Sequence, residues 1–576
     1  MDHFQDDLRR AGERALAVLA AENRFGLILA GHPYHVDPEV HHGIAELVNA
    51  CGLGVLTEDS VAHLCPDPGP LRVVDQWTYH SRLYRAGAFV AGADNLGLMQ
   101  LVSFGCGLDA ITSDQVEEIV TANGRLYAQI KIDEGGNLGP ARIRIRSMLA
   151  ALEEKARRRT VQVPRRRPEP RPVFTKEMVD THTILIPQMS PIHFEFIESV
   201  FNSQGYKAAL LPKVDREAID LALKYVNNDA CFPALVVVGQ LLQAVRSGEY
   251  DQDRIAVLIS QTGGGCRATN YIGFLRKALR DCGLERIPIV TVSTSLYGQD
   301  GAGVRLAPRM LLRAVMAGHY GDALMRMLNR VKPYELKPGS ADRLARKWID
   351  KGRRNVVDGS VIRFDLNMLA MIREFDRLPL RTEERKPRVG LVGEILLKYH
   401  PDANNRAVEL IEAEGGEAVA TDLMDFMLYV FYDHVFNYKH LAGTWRAAAG
   451  AVLGIVFLEL TRWALRLGFK VSKRFTPPIH FHHLKMKTKN LISLGHQTGE
   501  GWLLAAEMVE FLESGVNNIL CMQPFGCLPN HITGKGLMKE LKRRHPQANL
   551  IALDYDPGAS EVNQINRIKL MMSQAV

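Results

Sequence analysis

Short runs of Val, Ile, Leu and Ala, each closed by a glycine, a proline or a polar residue, recur along the chain, and the intervals between them carry helical periodicity. The runs "FGLILAG", "HTILIPQ", "RIAVLIS", "IPIVTVS", "RVGLVGE", "NLISLG", "NNILCMQ" and "NLIALDY" are nearly continuous in apolar character, as strands covered on both faces are. Segments such as "YIGFLRKALRDCG" and "GWLLAAEMVEFLESG" place apolar residues every three or four positions and stop at a glycine, the residue that most easily closes a helix. This alternation predicts an α/β protein of several doubly wound, Rossmann-like domains with parallel sheets. Sites in such folds form where loops leave the C-terminal ends of strands.

The pattern lapses over residues 155–172, where four prolines and a run of arginines leave almost no large apolar side chain. Such a segment can bury no face and predicts a linker. The expected division is an α/β unit at 1–154 carrying Cys106, the linker at 155–172, a domain at 173–385 carrying Cys231 and Cys266, and a domain at 386–576 carrying Cys527. The longest apolar run, "AAAGAVLGIVFLEL" from Ala447 to Leu460, is shorter than the ~20 residues a spanning helix needs. It predicts a buried helix and no membrane partner.

The chain also repeats itself. An offset of 421 lays Phe104, Gly105, Cys106, Ile111 and Thr112 on Phe525, Gly526, Cys527, Ile532 and Thr533. An offset of 423 matches Asp133, Gly135, Arg144 and Ile145 to Asp556, Gly558, Arg567 and Ile568, and one of 365 matches Tyr34, His35 and Asp37 to Tyr399, His400 and Asp402. Three matched blocks in one order predict an incomplete internal repeat. Residues 172–387 have no counterpart before the first copy, which therefore reads as half a unit, its missing half supplied by another polypeptide.

Charge alters this picture little. The formal +7 is concentrated in residues 155–176, which carry +8 and leave the remainder near −1. That segment has Phe174 as its one aromatic residue, unlike a nucleic-acid-binding face with interleaved aromatics, so no nucleic acid partner is expected. The opening "MDHFQDDLRR" is acidic and polar rather than leader-like, which points to the cytoplasm. Eight cysteines in such a chain suggest ligands, nucleophiles or core thiols rather than disulfides.

Three of them lie in loops between a strand or turn and a helix: Cys231 in "NNDACFPALVVVGQ", Cys266 in "SQTGGGCRATNY" and Cys527 in "MQPFGCLPNHITGKG". Cys266 is expected at a helix N-terminus that favours thiolate, and the helix after Cys527 is expected to begin near Gly534. No two of the three form a CxxC pair, which argues against a zinc ribbon or a thioredoxin-type site. On the residues alone, iron–sulfur ligands, a zinc site, a nucleophile and buried structural thiols all stay open. Cys106 shares the loop of Cys527 and is expected to be a ligand whose companions lie outside this chain. Cys51, Cys65, Cys282 and Cys521 read as ordinary loop, helix-end or strand residues.

The loops "QTGGG" at 261–265 and "QTGEG" at 497–501 each end a strand and open a helix in this reading. Gly263, Gly264, Gly265, Gln497, Thr498 and Gly499 are thus candidates to cradle an anion, a CoA phosphate or the sulfides of a cluster. "GHPYHVDPEVHHG" offers His32, His35, His41 and His42 and suggests a metal. Its counterpart "KYHPDANNRAV" keeps one histidine, so a Tyr-His-Asp hydrogen-bond cluster is the preferred expectation there. His480, His482 and His483 in "PPIHFHHLK" read as a surface loop.

"NNDACFPALVVVGQ", "ISQTGGGCRATNYIGFLRKAL", "GHQTGEGW", "QPFGCLPNHITGKG" and "LDYDPGASEVNQINRIKL" closely resemble the 2-hydroxyacyl-CoA dehydratase and benzoyl-CoA reductase superfamily. Within it they resemble the activase-related branch that includes double-cubane cluster proteins. "GHPYHVDPEVHHGI", "VLTEDSV", "PLRVVDQWTYHSRLY" and "FGCGLDAITSDQVEEI" resemble the segment preceding this unit in long fused members. The resemblance implies Cys231, Cys266 and Cys527 as three ligands of a 4Fe-4S cubane, single or part of a double cubane, and Cys106 as a ligand of a second cluster. It implies a redox component that takes low-potential electrons from an ATP-dependent activase of actin-like fold and reduces or dehydrates a difficult substrate such as an acyl-CoA thioester. A 2-hydroxyacyl-CoA dehydratase subunit and a non-catalytic, cluster-carrying scaffold are the alternatives. The chain has no GxxxxGKS/T loop, so ATP hydrolysis is expected in the partner.

Overall fold

Three sheets of four parallel strands form among the described residues of the computed structural model, which are 2–103, 105–132, 136–158, 171–261, 264–293, 307–381 and 384–575. The first contains β1 (Gly26–Ala30), β2 (Gly54–Thr57), β3 (Leu96–Ser103) and β4 (Tyr127–Ile132). The second contains β5 (Thr183–Ile186), β6 (Lys207–Leu210), β7 (Ile255–Gln261) and β8 (Ile289–Ser293). The third contains β9 (Arg388–Gly393), β10 (Glu417–Ala420), β11 (Asn518–Pro524) and β12 (Asn549–Tyr555). Their orders are β2-β1-β3-β4, β6-β5-β7-β8 and β10-β9-β11-β12. In each, the winding reverses between the first strand and the third. The loops leaving those two strands diverge there and open the crevice in which α/β proteins place their chemistry.

The chain divides into two compact units. One is Met1–Arg171 with Tyr225–Ala230 and Thr269–Arg280; the other is Pro172–Lys224, Cys231–Ala268 and Asp281–Val576. The first unit holds the first sheet and the second unit holds the other two. In the first, Leu27, Leu29, Met99, Leu101 and Ile130 pack with Ile145 and Met148 of the helix Gly139–Arg158. In the second unit, Ile184, Ile186 and Leu258 pack with Tyr320, Trp348 and Phe375, while Val392, Ile519 and Ala552 pack with Leu504 and Met508.

The first and third sheets carry the repeat at the level of backbone angles. Gly105 and Gly526 share a φ of 67°, and Cys106 and Cys527 cap the next helix at φ −76°, ψ 106° and φ −77°, ψ 99°. Phe104, Asp133 and Gly135 of the aligned blocks lie outside the described residues, as do 159–170 of the expected linker.

Two expectations are corrected. "NLISLG" is a series of turns rather than a strand. The run from Ala447 to Leu460 does not form a buried helix: in Trp445–Thr461, Leu453 is 71% and Leu460 65% exposed, and Trp463 and Leu467 of the next helix, Trp463–Val471, continue the exposed apolar stripe. Taken together, Trp445–Val471 is long and apolar enough, by length and composition, to cross a membrane, with 33% of its most apolar window buried. Apolar composition alone does not say which side of a helix is covered.

Candidate functional site

Cys106, Cys266 and Cys527 occupy equivalent places, each just after the third strand of its sheet. Cys231 caps the helix Phe232–Arg246, which leads into β7. Cys106 belongs to the first unit and the other three to the second. All eight cysteines are free thiols. Cys521 is fully buried in β11 between Val392 and Ala552, the core role expected of it.

In the second unit, the loop of residues 497–501 joins two of the cysteine loops. A Cβ on Gly265 would lie 3.5 Å from Thr498 Oγ1, and one on Gly499 would lie 3.2 Å from Pro529, two residues after Cys527. Gly499 reaches this position with φ +62°. Gln497 contributes a buried Nε2 without a hydrogen-bond partner; it lies in a turn and does not end a strand. Gly264 and Gly265 are exposed, and Gly263 lies outside the described residues. Electrostatics links the thiols as well, since Cys266 senses Cys231, and Cys527 senses Cys266.

Cys266 and Cys527 are not poised as thiolates. Burial, seconded by Cys231 and Glu500, pushes Cys266 up to about 12 against the Ala268 N–H and Arg267. Burial, Glu500 and Cys266 push Cys527 up as well. The helix-dipole argument for Cys266 fails because a 3-10 turn, Arg267–Asn270, separates it from the helix Tyr271–Asp281. The helix after Cys527 begins at once, at Leu528 rather than near Gly534.

Beside Cys527 stands a small polar system. Asn530 donates to Cys527 Sγ at 3.3 Å and to Glu500 Oε2 at 2.8 Å, and Glu500 Oε1 accepts from the Ile395 N–H at 3.0 Å. Glu394, the first residue after β9, is pushed up from 4.5 to about 8 by burial and by Glu500, and burial raises Glu500 too. Between pH 4.5 and 8 the unfolded carboxyl has lost its proton and the folded one keeps it, so rising pH favours unfolding across that window. Glu394→Gln is therefore expected to be more stable than the parent at pH 8, with the difference vanishing near pH 4.5; urea denaturation at a series of pH values measures it.

The first unit builds a related corner from different residues. His32 Nε2 lies 2.9 Å from Asp109 Oδ1, His80 Nε2 lies 3.9 Å from the same oxygen, and Cys106 Sγ lies 3.7 Å from His32 Nε2. Asp109 Oδ2 accepts from the Ser103 N–H at 2.9 Å. The Ser103 hydroxyl meets Tyr34 at 2.8 Å and His35 at 3.0 Å. Burial pulls His32 down, but hydrogen bonds and charge from Asp109 and Cys106 overrule it and hold His32 up at about 10. Burial and charged His32 lower His80 to about 4. The expected Tyr-His-Asp cluster does not form: Asp37 instead caps the short helix Pro38–His41, and in the other copy Tyr399 donates to the Thr421 carbonyl while Asp402 accepts from the Val214 N–H. His480, His482 and His483 are exposed as expected, the last two on the short helix Phe481–Met486.

The two corners superpose in sequence logic. His32 and Glu394 each follow a glycine that closes the first strand, and that glycine faces Leu101 or Met522, which are themselves 421 apart. Asp109 and Asn530 each stand three residues after the cysteine. His80 lies in the first turn of the helix Thr78–Ala91, and Glu500 heads Gly501–Glu513, the helices that lead into β3 and β11. Neither His80 nor this exchange of residues was among the sequence candidates.

A family model described as the CoA enzyme activase uncharacterised domain matches residues 1–61. The match is local. It spans β1, β2 and His32, and ends before His80 and Cys106. No curated protein matches the chain.

Proposed function

We propose that the second unit holds a 4Fe-4S cluster on Cys231, Cys266 and Cys527, and that the chain is a cytoplasmic redox component served by an ATP-dependent activase of actin-like fold. The observation that supports this reading most is the electrostatic linkage of Cys231 to Cys266 and of Cys266 to Cys527, on three separate loops of one unit, with the last two loops joined through residues 497–501. The donor set fits: three cysteines leave one iron of a cubane free for a non-protein ligand. When bound, such a cluster supplies a low-potential electron and an open iron position to an acceptor such as an acyl-CoA thioester.

The protein's own residues have definable parts in this reading. Asn530 steadies the Cys527 sulfur through its amide donor. Gln497 Nε2 offers a donor to cluster sulfides or to a CoA phosphate. Glu394 holds a proton beside Glu500, which acts on Cys527. That stored proton favours, as a second reading, a 2-hydroxyacyl-CoA dehydratase subunit, in which a neutral carboxyl protonates a leaving hydroxyl. The activase belongs to the same proposal as a partner; co-purification with the product of a neighbouring gene tests it.

Anaerobic reconstitution is expected to give about four irons and four acid-labile sulfides per chain from this unit. Serine at Cys231, Cys266 or Cys527 should abolish that content, and Cys65→Ser should leave it unchanged. A folded, colourless, iron-free protein, or a cluster that survives Cys266→Ser, would refute the assignment.

A further inference from the structure

The first unit's corner is made of donors that its duplicate lacks. Where the second unit has the carboxyls of Glu394 and Glu500 and an uncharged amide, the first has two imidazoles and a carboxylate. The cysteine alone is common to both. We propose that His32, His80, Asp109 and Cys106 bind one divalent transition-metal ion, zinc or ferrous iron, as a mononuclear centre independent of the cysteine loops of the second unit.

The ligand atoms of His32, His80 and Asp109 all lie within 4.8 Å of one another, the one such group of metal-ligating side chains among the described residues. Cys106 Sγ lies 3.7 Å from His32 Nε2 but outside that group, so it becomes the fourth ligand through a side-chain movement on loading. Donors around a tetrahedral ion stand roughly 3.3–3.8 Å apart, as bonds of about 2.0–2.3 Å require. The observed separations of 2.9, 3.7 and 3.9 Å bracket that range.

His80 at this corner lacks other employment: it is 3% exposed, yet neither of its ring nitrogens has a hydrogen-bond partner. Asp109 Oδ1, equally buried, is met by His32 Nε2 at 2.9 Å and, more distantly, by His80 Nε2 at 3.9 Å. Buried groups of this kind are costly unless something satisfies them, and here they face a common point. Asp109 uses its other oxygen to accept the Ser103 N–H, which fixes the carboxylate with Oδ1 turned to the histidines.

The topology explains why this place was available. His32 leaves β1, Cys106 and Asp109 follow β3, and those strands flank the switch point of the first sheet. An ion there ties both diverging loops to the head of the helix Thr78–Ala91. A set of two imidazoles, one carboxylate and one thiolate suits zinc; two histidines with one carboxylate also suit ferrous iron. On loading, His32 and Cys106 each release a proton to solvent, since a metal takes the neutral imidazole and the thiolate.

The test uses the full chain, stripped with chelator and titrated anaerobically with Co2+. Uptake is expected to produce the visible bands of tetrahedral cobalt together with a thiolate-to-cobalt charge-transfer band. Cys106→Ser should remove the charge-transfer band and keep visible bands. Outer-shell losses at such centres already cost about 10–100-fold, so His80→Ala should weaken Co2+ binding by about tenfold or more. Far-UV circular dichroism and melting check the fold of each variant, and His80→Gln replaces the alanine variant should that one not fold. Metal analysis of the native protein separates the two ions: about one zinc per chain, or about one iron per chain in excess of the acid-labile sulfide, lost with His80, supports the centre.

A folded chain that takes up no Co2+ overturns the proposal. So does a charge-transfer band that survives Cys106→Ser and disappears in Cys266→Ser, or iron at Cys106 accompanied by equal sulfide. Failure of the second unit's cluster would appear instead as missing sulfide with this cobalt spectrum intact, so the two assignments fail separately.

Discussion

Gly393→Ala is expected to destabilise the second unit by about 3–5 kcal/mol, the sum of a strained φ and an overpacked contact. Gly393 closes β9 at φ +130°, a region open to glycine and strained for any residue with a Cβ. A Cβ built there would stand 1.9 Å from the Met522 carbonyl oxygen and 2.7 Å from its carbon and nitrogen. Met522 lies in β11, hydrogen-bonded on both sides within the sheet, so the obstructing atoms are backbone that has no room to give. Gly450, within the helix Trp445–Thr461, has nothing within 4 Å of its Cβ direction and serves as control. Alanine there should stabilise by about 0.5–1 kcal/mol. Chemical denaturation of both variants measures the contrast, and a Gly393→Ala protein as stable as the parent would contradict the strand-end geometry.

Removing the charge of Arg462 should cost a similar amount by another route, about 3–5 kcal/mol for a broken buried ion pair. Arg462 is fully buried and donates to Asp425 Oδ1 at 2.6 Å. Asp422 and Asp322 also act on it, and Arg326 bonds Asp422 at 2.7 Å. Asp322 accepts from the Leu423 and Met424 N–H groups and from His193. Three carboxylates thus share two guanidinium groups, and Arg462→Met leaves them with one. Burial already pushes Asp425 up to about 6 despite Arg462. In the variant this carboxyl should keep its proton to higher pH, so the penalty should be full at pH 8 and fade on acidification towards 4. A packing defect would show no such fading, and pH-resolved denaturation distinguishes the two.

The legibility of this fold in its sequence followed burial. The central strands β1, β5, β7, β9 and β11 announce themselves because nearly every residue is apolar, and the apolar edge strands β8 and β12 do so as well, whereas β3, central and buried, went unread because glycine, methionine and glutamine interrupt its apolar run. The edge strands β2, β6 and β10 are four residues each, too short and too mixed to stand out from loops. "NLISLG" misleads for the converse reason, since a short apolar run in turns has the same composition as a strand.

The same physics governs the sites. The cysteine loops could be found because glycine, cysteine and a helix start are adjacent in the chain. His32, His80 and Asp109 could not be found by spacing, because they are brought together by a sheet switch point across separations that carry no motif. One signal was nonetheless present: the offset that aligns Cys106 with Cys527 also aligns Asp109 with Asn530, three residues further on. A charged residue exchanged for its amide at matched places in a repeat marks a position whose chemistry has diverged while its geometry has not.

Left-handed glycines at 105 and 526 set the backbone turn that presents Cys106 and Cys527. Any residue with a Cβ would strain that turn, so the direction in which each sulfur points is written into the residue before it, and a drift at either glycine would silence its cysteine without touching the thiol.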